Sequence, residues 1–199
     1  FLLRENIITK KLEYSHSEQE SLDYNFSRFL GEIRIKLAES IIRNNRCEDL
    51  DLVSSFVQTI INRILFIRVC ESKGLEKEGL LQDYMNDDFW TRFKNSSYFE
   101  FYEHYDGPMF NRINPLQSLV VDNDTLGDFV SKLYYPSPYR FDVIPVKTLS
   151  DIYDLFLGYR LVLNNGVVSD QLKEEFKKSN GAVTTPEMLV HKVIECTMP

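Results

Sequence analysis

Apolar residues recur at three- and four-residue steps through most of the first two thirds of the chain, the spacing that lines one face of an α-helix. Leu22, Phe26, Phe29, Leu30, Ile33, Leu37 and Ile41 form one such stripe over residues 19–44, and Asn44-Asn45 closes it. Leu52, Phe56, Val57, Ile60, Ile61, Ile64, Leu65 and Val69 form a second over residues 50–72, with Gly74 as its stop. Residues 76–106 carry Tyr84, Phe89, Trp90, Phe93, Tyr98, Phe99, Phe101, Tyr102 and Tyr105 at helical spacing, up to the break at Gly107-Pro108. A further helix is predicted from Asp122 to Leu133, with Asp124 as its N-cap.

The pattern changes after residue 133. In YYPSPYRFDVIP, Pro136, Pro138 and Pro145 exclude a helix interior, because each removes a donor and drives the preceding residue toward extended backbone. Leu149, Ile152, Tyr153 and Phe156 then predict a short amphipathic helix that stops at Gly158. Asn165-Gly166 between two apolar runs suits a type I′ turn and predicts a hairpin near 159–168. Residues 170–178 read as a short charged helix or an irregular connection. The expected fold is mainly α, a multi-helix domain with a small β-hairpin near the C-terminal end.

Composition narrows the function classes. The chain has 199 residues, 43% hydrophobic and 27% charged, which is enough for a sizeable core. A net charge of −7 argues against a surface given over to nucleic acid, though a local basic face is compatible with it. Cys47, Cys70 and Cys196 form no CxxC pair, so a reducing cytoplasm is expected. Uninterrupted apolar runs such as ILFI at 64–67 are too short to span a bilayer, and Phe1-Leu2-Leu3 is followed at once by charge, so neither a membrane segment nor a signal peptide is expected. The absence of an initiator methionine suggests a segment of a longer chain.

Few residues combine into a recognisable catalytic site. Asp170, Glu175 and Lys177 have the residue types of a metal-dependent nuclease, but they fall in a polar stretch with helical character rather than across a strand, and a solvated charged face explains them better. Glu100 and His104 share a helix face without further ligands at matching spacing, and His16 and His191 stand alone, so no metal site is expected. The aromatic band offers rings for stacking bases. The interleaved Asp87, Asp88, Glu100, Glu103 and Asp106 would repel phosphates, so the band reads as core. One charge feature survives: Arg28, Arg34, Lys36, Arg43 and Arg46 against Glu32 and Glu39 give a net +3 over residues 28–46, five minus two. Either that helix touches DNA phosphates or it is an ordinary solvated face.

Three blocks occur in an informative order: INRILFIRVCESKGL (61–75), YRFDVIPVKTLSDIYDLFLG (139–158) and GAVTTPEMLVHKVIE (181–195). Together they resemble the helical region and first methylase motif of combined restriction–modification enzymes, the type IIG class. The resemblance covers roughly residues 20 to 199. In that family one chain carries an endonuclease, a helical connector, an N6-adenine DNA methyltransferase and a target-recognition region. The resemblance implies a helical connector over 1–158, hairpin and linker over 159–180, and the start of a methyltransferase domain over 181–199. It implies S-adenosylmethionine as cofactor, Mg²⁺ for the parent's nuclease, double-stranded DNA as partner, and a nuclease and a methyltransferase as neighbouring domains.

Within the third block, Thr185 suits an N-cap, Pro186 the first helical position and Glu187 the first turn. In the family, Val183, Thr184, Thr185 and Pro186 correspond to the loop against the methionine end of the cofactor. The family often carries aromatic residues where Val183 and Thr184 stand, although a G-x-V-x-T-P form also occurs. No GxG turn and no N-P-P-aromatic loop are present, Asn114-Pro115-Leu116-Gln117 being an ordinary turn, so the chain by itself is expected to be inactive and to hold no cofactor. A stand-alone helical scaffold that binds DNA or protein, unconnected with methylation, is the alternative.

Overall fold

The computed structural model describes residues 25–105, 108–110, 116–137, 139–143, 158–174 and 187–197. Among these residues there are six helices and a two-stranded antiparallel hairpin, the mainly α class that the periodicity predicts. Helix α1 (residues 25–45) buries Phe26, Phe29, Leu30, Ile33, Leu37 and Ile41, the predicted stripe; Leu22 lies outside the described residues. Its last turn is closed by Asn45, whose side-chain amide donates to the carbonyls of Ile41 and Val120 at 2.9 and 2.8 Å and accepts from the Val120 N–H.

Helix α2 (Leu50–Ser72) is the centre of the packing. Asp49 caps it, its carboxylate accepting from the N–H groups of Asp51 and Leu52 at 3.1 and 3.0 Å. At the other end the Gly74 N–H donates to the Glu71 carbonyl and the Leu75 N–H to the Cys70 carbonyl, a Schellman closure that requires the left-handed φ of 70° at Gly74. The buried surface runs through Val53, Val57, Ile60, Ile61, Ile64, Leu65 and Ile67. Leu52, predicted as part of the stripe, is 44% exposed, since it sits about 100° round the helix from Val53. By length and composition alone α2 is apolar enough to cross a membrane, although its apolar residues form no long uninterrupted run. Here its apolar surface meets α3, β1 and the turn at Pro108–Phe110 instead.

The aromatic band resolves into two helices, α3 (Leu80–Tyr84) and α4 (Phe89–Tyr105), with a 3-10 turn at Pro108–Phe110. Tyr84, Phe89, Trp90, Phe93, Phe101 and Phe110 are buried, which makes the band core; the side chains of Tyr98 and Phe99 lie outside the described set. The Trp90 indole N–H donates to the Leu119 carbonyl at 2.7 Å, satisfying the one polar atom of a buried ring. Helix α5 (Asn123–Ser131) is capped at Asp122, not Asp124. The Asp122 carboxylate makes no capping bond, because the Asn44 amide and the Arg43 guanidinium of α1 take it. The predicted helix before Gly158 and the turn at Asn114-Pro115 lie outside the described residues; Gly158 itself is helical and Tyr159 begins the strand.

Strands β1 (Tyr159–Asn164) and β2 (Val167–Leu172) pair from Asn164↔Val167 to Tyr159↔Leu172. Asn165 and Gly166 have φ of 52° and 80°, the two positive values a type I′ turn needs. Residues 170–172 are strand rather than charged helix, because the register of β1 carries β2 that far. Leu161 and Val168 face inward. The last described helix is α6 (Glu187–Thr197).

Two substitutions test this account of the α2 ends. Asp49→Ala removes the cap and should cost about 1 kcal/mol. Gly74→Ala meets no steric contact, yet should also cost about 1 kcal/mol because alanine resists the left-handed region. Urea unfolding of both variants measures the cost; an unchanged midpoint for Gly74→Ala would refute the Schellman closure.

Candidate functional site

The five cations of residues 28–46 do not share one face. Arg28, Lys36, Arg43 and Arg46 are exposed, whereas Arg34 is 2% exposed. Arg34 turns inward and donates to Asp170 Oδ1 at 2.7 Å, Ser54 Oγ at 3.0 Å and the Tyr159 carbonyl at 3.4 Å. One guanidinium thus ties α1 to α2 and to both strands of the hairpin. Burial pushes the Asp170 carboxyl up and the Arg34 guanidinium down, each against the attraction of the other. Asp170 therefore does not belong to a charged helix. It lies on β2 opposite Leu161, and its partner is Arg34; Glu175 and Lys177 lie outside the described residues.

Two more cations of α1 face carboxylates. Lys36 is 3.5 Å from Asp128 of α5, and Arg43 pairs with Asp122. Both pairs are exposed and contribute little to stability, but they offset much of the local excess of positive charge. No carboxylate pairs with Arg28 or Arg46 among the described residues.

A second buried network lies within the first of the three sequence blocks. Glu71, 5% exposed, accepts at both carboxylate oxygens from the Tyr134 hydroxyl at 2.7 Å and at Oε1 from the Leu81 N–H at 3.1 Å. Arg68 approaches its other oxygen at 3.5 Å, donates to the Leu133 carbonyl at 3.1 Å and lies over the rings of Tyr134 and Phe141 at 4.4 and 5.2 Å. Burial raises the Glu71 carboxyl above the usual carboxylate range, more than the hydroxyl, amide and guanidinium lower it. Burial and the adjacent carboxylate raise the Tyr134 hydroxyl as well. The second block meets the first here: Ser72 Oγ donates to the Phe141 carbonyl at 3.2 Å and Lys73 Nζ to the Asp142 carbonyl at 3.0 Å. Neither Glu71 nor Tyr134 stands out in the sequence, although Arg68 and Glu71, three apart in an apolar helix, are a signal that could have found the first.

Arg63 is the third buried charge. Its Nε donates to the Met109 carbonyl at 2.8 Å and its guanidinium lies 5.5 Å from the Phe110 ring centre. Burial pulls its pKa down to about 10. These groups hold elements together; none is placed as a nucleophile with a base beside it. Among the described residues no three His, Cys, Asp or Glu side chains gather as metal ligands, and Glu100 and His104 are both exposed. His16 lies outside the described residues, as does the side chain of His191. So do Val183, Thr184, Thr185 and Pro186; α6 begins at the next residue.

The chain is similar to an Escherichia coli protein described as a type II restriction enzyme and methyltransferase, RM.Eco57I. The two are 28% identical over 204 residues, which is 98% of this chain and 20% of the relative. The chain therefore spans about a fifth of the length of the curated relative it matches, and the similarity relates it to restriction–modification proteins. No family model and no solved structure matches the chain.

The buried charges make two measurable differences. Asp170→Ala strands the Arg34 guanidinium and should cost roughly 3 kcal/mol, as breaking a buried pair does. The Arg34→Met, Asp170→Leu double variant should be destabilised less than Asp170→Ala in equilibrium unfolding; an equal or larger effect would show that the pair is not acting as a unit. For Glu71 the folded-state pKa is raised, so its contribution is fully present below the unfolded-state pKa and disappears as pH rises through the folded-state value. The stability of the wild type relative to Glu71→Gln should therefore fall with rising pH across that window. A difference between the two that is flat with pH would contradict this.

Proposed function

We propose that this chain is the helical connector of a type IIG restriction–modification enzyme, lying between an upstream Mg²⁺-dependent nuclease and a downstream methyltransferase that methylates adenine N6 in double-stranded DNA. The observation that carries the reading is the alignment of 98% of the chain with 20% of a protein named for both restriction and methylation. Alignment over that extent supports reading the chain as a part of such an enzyme, and the helical architecture with its internally bonded charges suits a rigid spacer. A spacer must hold its neighbours at fixed separation, and the buried arginine and glutamate groups cross-link helices that packing alone would let slide.

Under this reading residues 181–199 open the methyltransferase, and Val183, Thr184, Thr185 and Pro186 meet the methionine end of S-adenosylmethionine. The cofactor supplies the transferable methyl group when bound. The chain's own contribution is a helix start whose free N–H groups favour a carboxylate, with Thr185 holding that turn in place. Arg28, Lys36 and Arg43 on the outer surface of α1, and Arg46 just after its end, are exposed where DNA phosphates are within reach of a long side chain. The enzyme acts in the cytoplasm, where its DNA substrate is.

Transfer of labelled methyl groups from S-adenosylmethionine to duplex DNA is the test. The full polypeptide should methylate and cleave; residues 1–199 alone should do neither. In the full polypeptide Thr185→Ala removes a cap of about 1 kcal/mol and a hydrogen bond of roughly 0.5–1.5 kcal/mol, so cofactor affinity should fall about tenfold in calorimetric titration. Methyl transfer by the 199-residue chain would overturn the connector reading.

A further inference from the structure

A cleft of about 580 Å³ opens between the start of the described part of α1 and the segment that follows α5. Arg28 and Glu32, one helical turn apart, stand on its α1 wall, and Lys132 and Pro136 on the other. Its floor is aromatic: Phe29 and Tyr139 stack with ring centres 5.6 Å apart and planes inclined by 18°. Lys132 Nζ lies 5.5 Å from the Phe29 ring centre, held over the floor by the ring's negative face. The Tyr139 hydroxyl donates to the Asn25 carbonyl at 3.3 Å, fixing the floor to the α1 wall.

Charge separates this cleft from the rest of α1. Arg34 is bonded to Asp170 inside the fold, and Lys36 and Arg43 face Asp128 and Asp122. Arg28 and Lys132 have no ion pair among the described residues, come from different elements and line one concavity. Glu32 is the sole carboxylate among the lining residues, so the lining carries +1, two cations less one anion. Charge alone would scatter cations over the surface; here a rigid aromatic floor presents two of them to the same volume.

We infer that this cleft is a docking site for the DNA sugar–phosphate backbone, with Arg28 and Lys132 taking phosphate oxygens from opposite walls and Tyr139 and Pro136 packing against the sugar. The inference rests on the reading of the full polypeptide as a DNA-modifying enzyme, and it moves the point of DNA binding from the row of α1 cations to one end of that helix. Guanidinium and ammonium groups on phosphate set position without reading sequence, so binding here should be indifferent to base composition. Glu32 works against the phosphate and limits affinity, which suits a region that positions DNA rather than selects it.

The experiment uses the full polypeptide, a fluorescent duplex carrying its site and a second duplex of unrelated sequence. Dissociation constants are measured across a range of salt. Arg28→Gln with Lys132→Gln should flatten the plot of log affinity against log salt by roughly two units, about 0.9 for each phosphate no longer neutralised, and equally for both duplexes. Glu32→Gln should tighten binding to both duplexes, a change of opposite sign that unfolding cannot produce. Lys77→Gln, at an exposed cation that pairs with Asp83 away from the cleft, should leave the slope close to that of the wild type. If the wild type binds and methylates DNA while the first variant keeps its slope, or Glu32→Gln does not tighten binding, the docking site is refuted and the connector reading stands. If the wild type neither binds nor methylates DNA, both fall.

Discussion

A carboxylate inside an aromatic core is tolerable only when its oxygens are bonded, and Glu71 imposes that constraint on this fold. It sits at the end of α2, the helix on which most of the packing converges, and draws in three groups to meet its needs. The Leu81 N–H brings the start of α3, the Tyr134 hydroxyl brings the segment after α5, and Arg68 supplies the compensating charge. Each oxygen thereby has two partners, Leu81 and Tyr134 at Oε1 and Tyr134 and Arg68 at Oε2, and a buried oxygen left with none would carry a penalty larger than the net gain from making a bond. The position of the 134–141 segment against α2 follows from this, and with it the rings of Tyr139 and Phe141 against Phe26 of α1.

The same logic recurs at the hairpin. A two-stranded hairpin in water is marginal alone, so it needs a surface to dock on. Leu161 and Val168 supply the apolar contact, and Asp170 adds an ion pair to Arg34. Ser54 and the Tyr159 carbonyl take further donors of the same guanidinium. Directional bonding fixes the position of the docked hairpin in a way apolar contact alone would not. Of the charges that look suited to a ligand when read along the chain, Arg34 and Asp170 are therefore internal fasteners. The sequence blocks that point to restriction–modification enzymes owe part of their character to this: Arg63, Arg68 and Glu71 of the first block and Phe141 of the second are committed to the interior.

The periodicity of the chain by itself determined the helical class, the extent of α2, the end of α1, the closure at Gly74 and the turn at Asn165-Gly166. Each of these depends on neighbours within a few residues: a stripe repeats every three or four positions, and a positive φ selects glycine or asparagine locally. The order of the three blocks likewise points to the restriction–modification class without reference to how the chain folds.

Only the tertiary structure decided which charges face water. Arg34 and Lys36 are two residues apart and alike in a count of charges, yet Asp170, 136 positions away, draws one inside while the other stays at the surface. Asp122 and Asp124 are equally good caps locally, and the helix starts after Asp122, whose carboxylate α1 then takes for itself. Asp170 reads as part of a charged helix until β1 supplies the pairing that makes it a strand residue. The cleft between Arg28 and Lys132 joins positions more than a hundred residues apart. Such pairings are set by which elements meet, and burial changes the worth of a charge far more than any neighbour along the chain does.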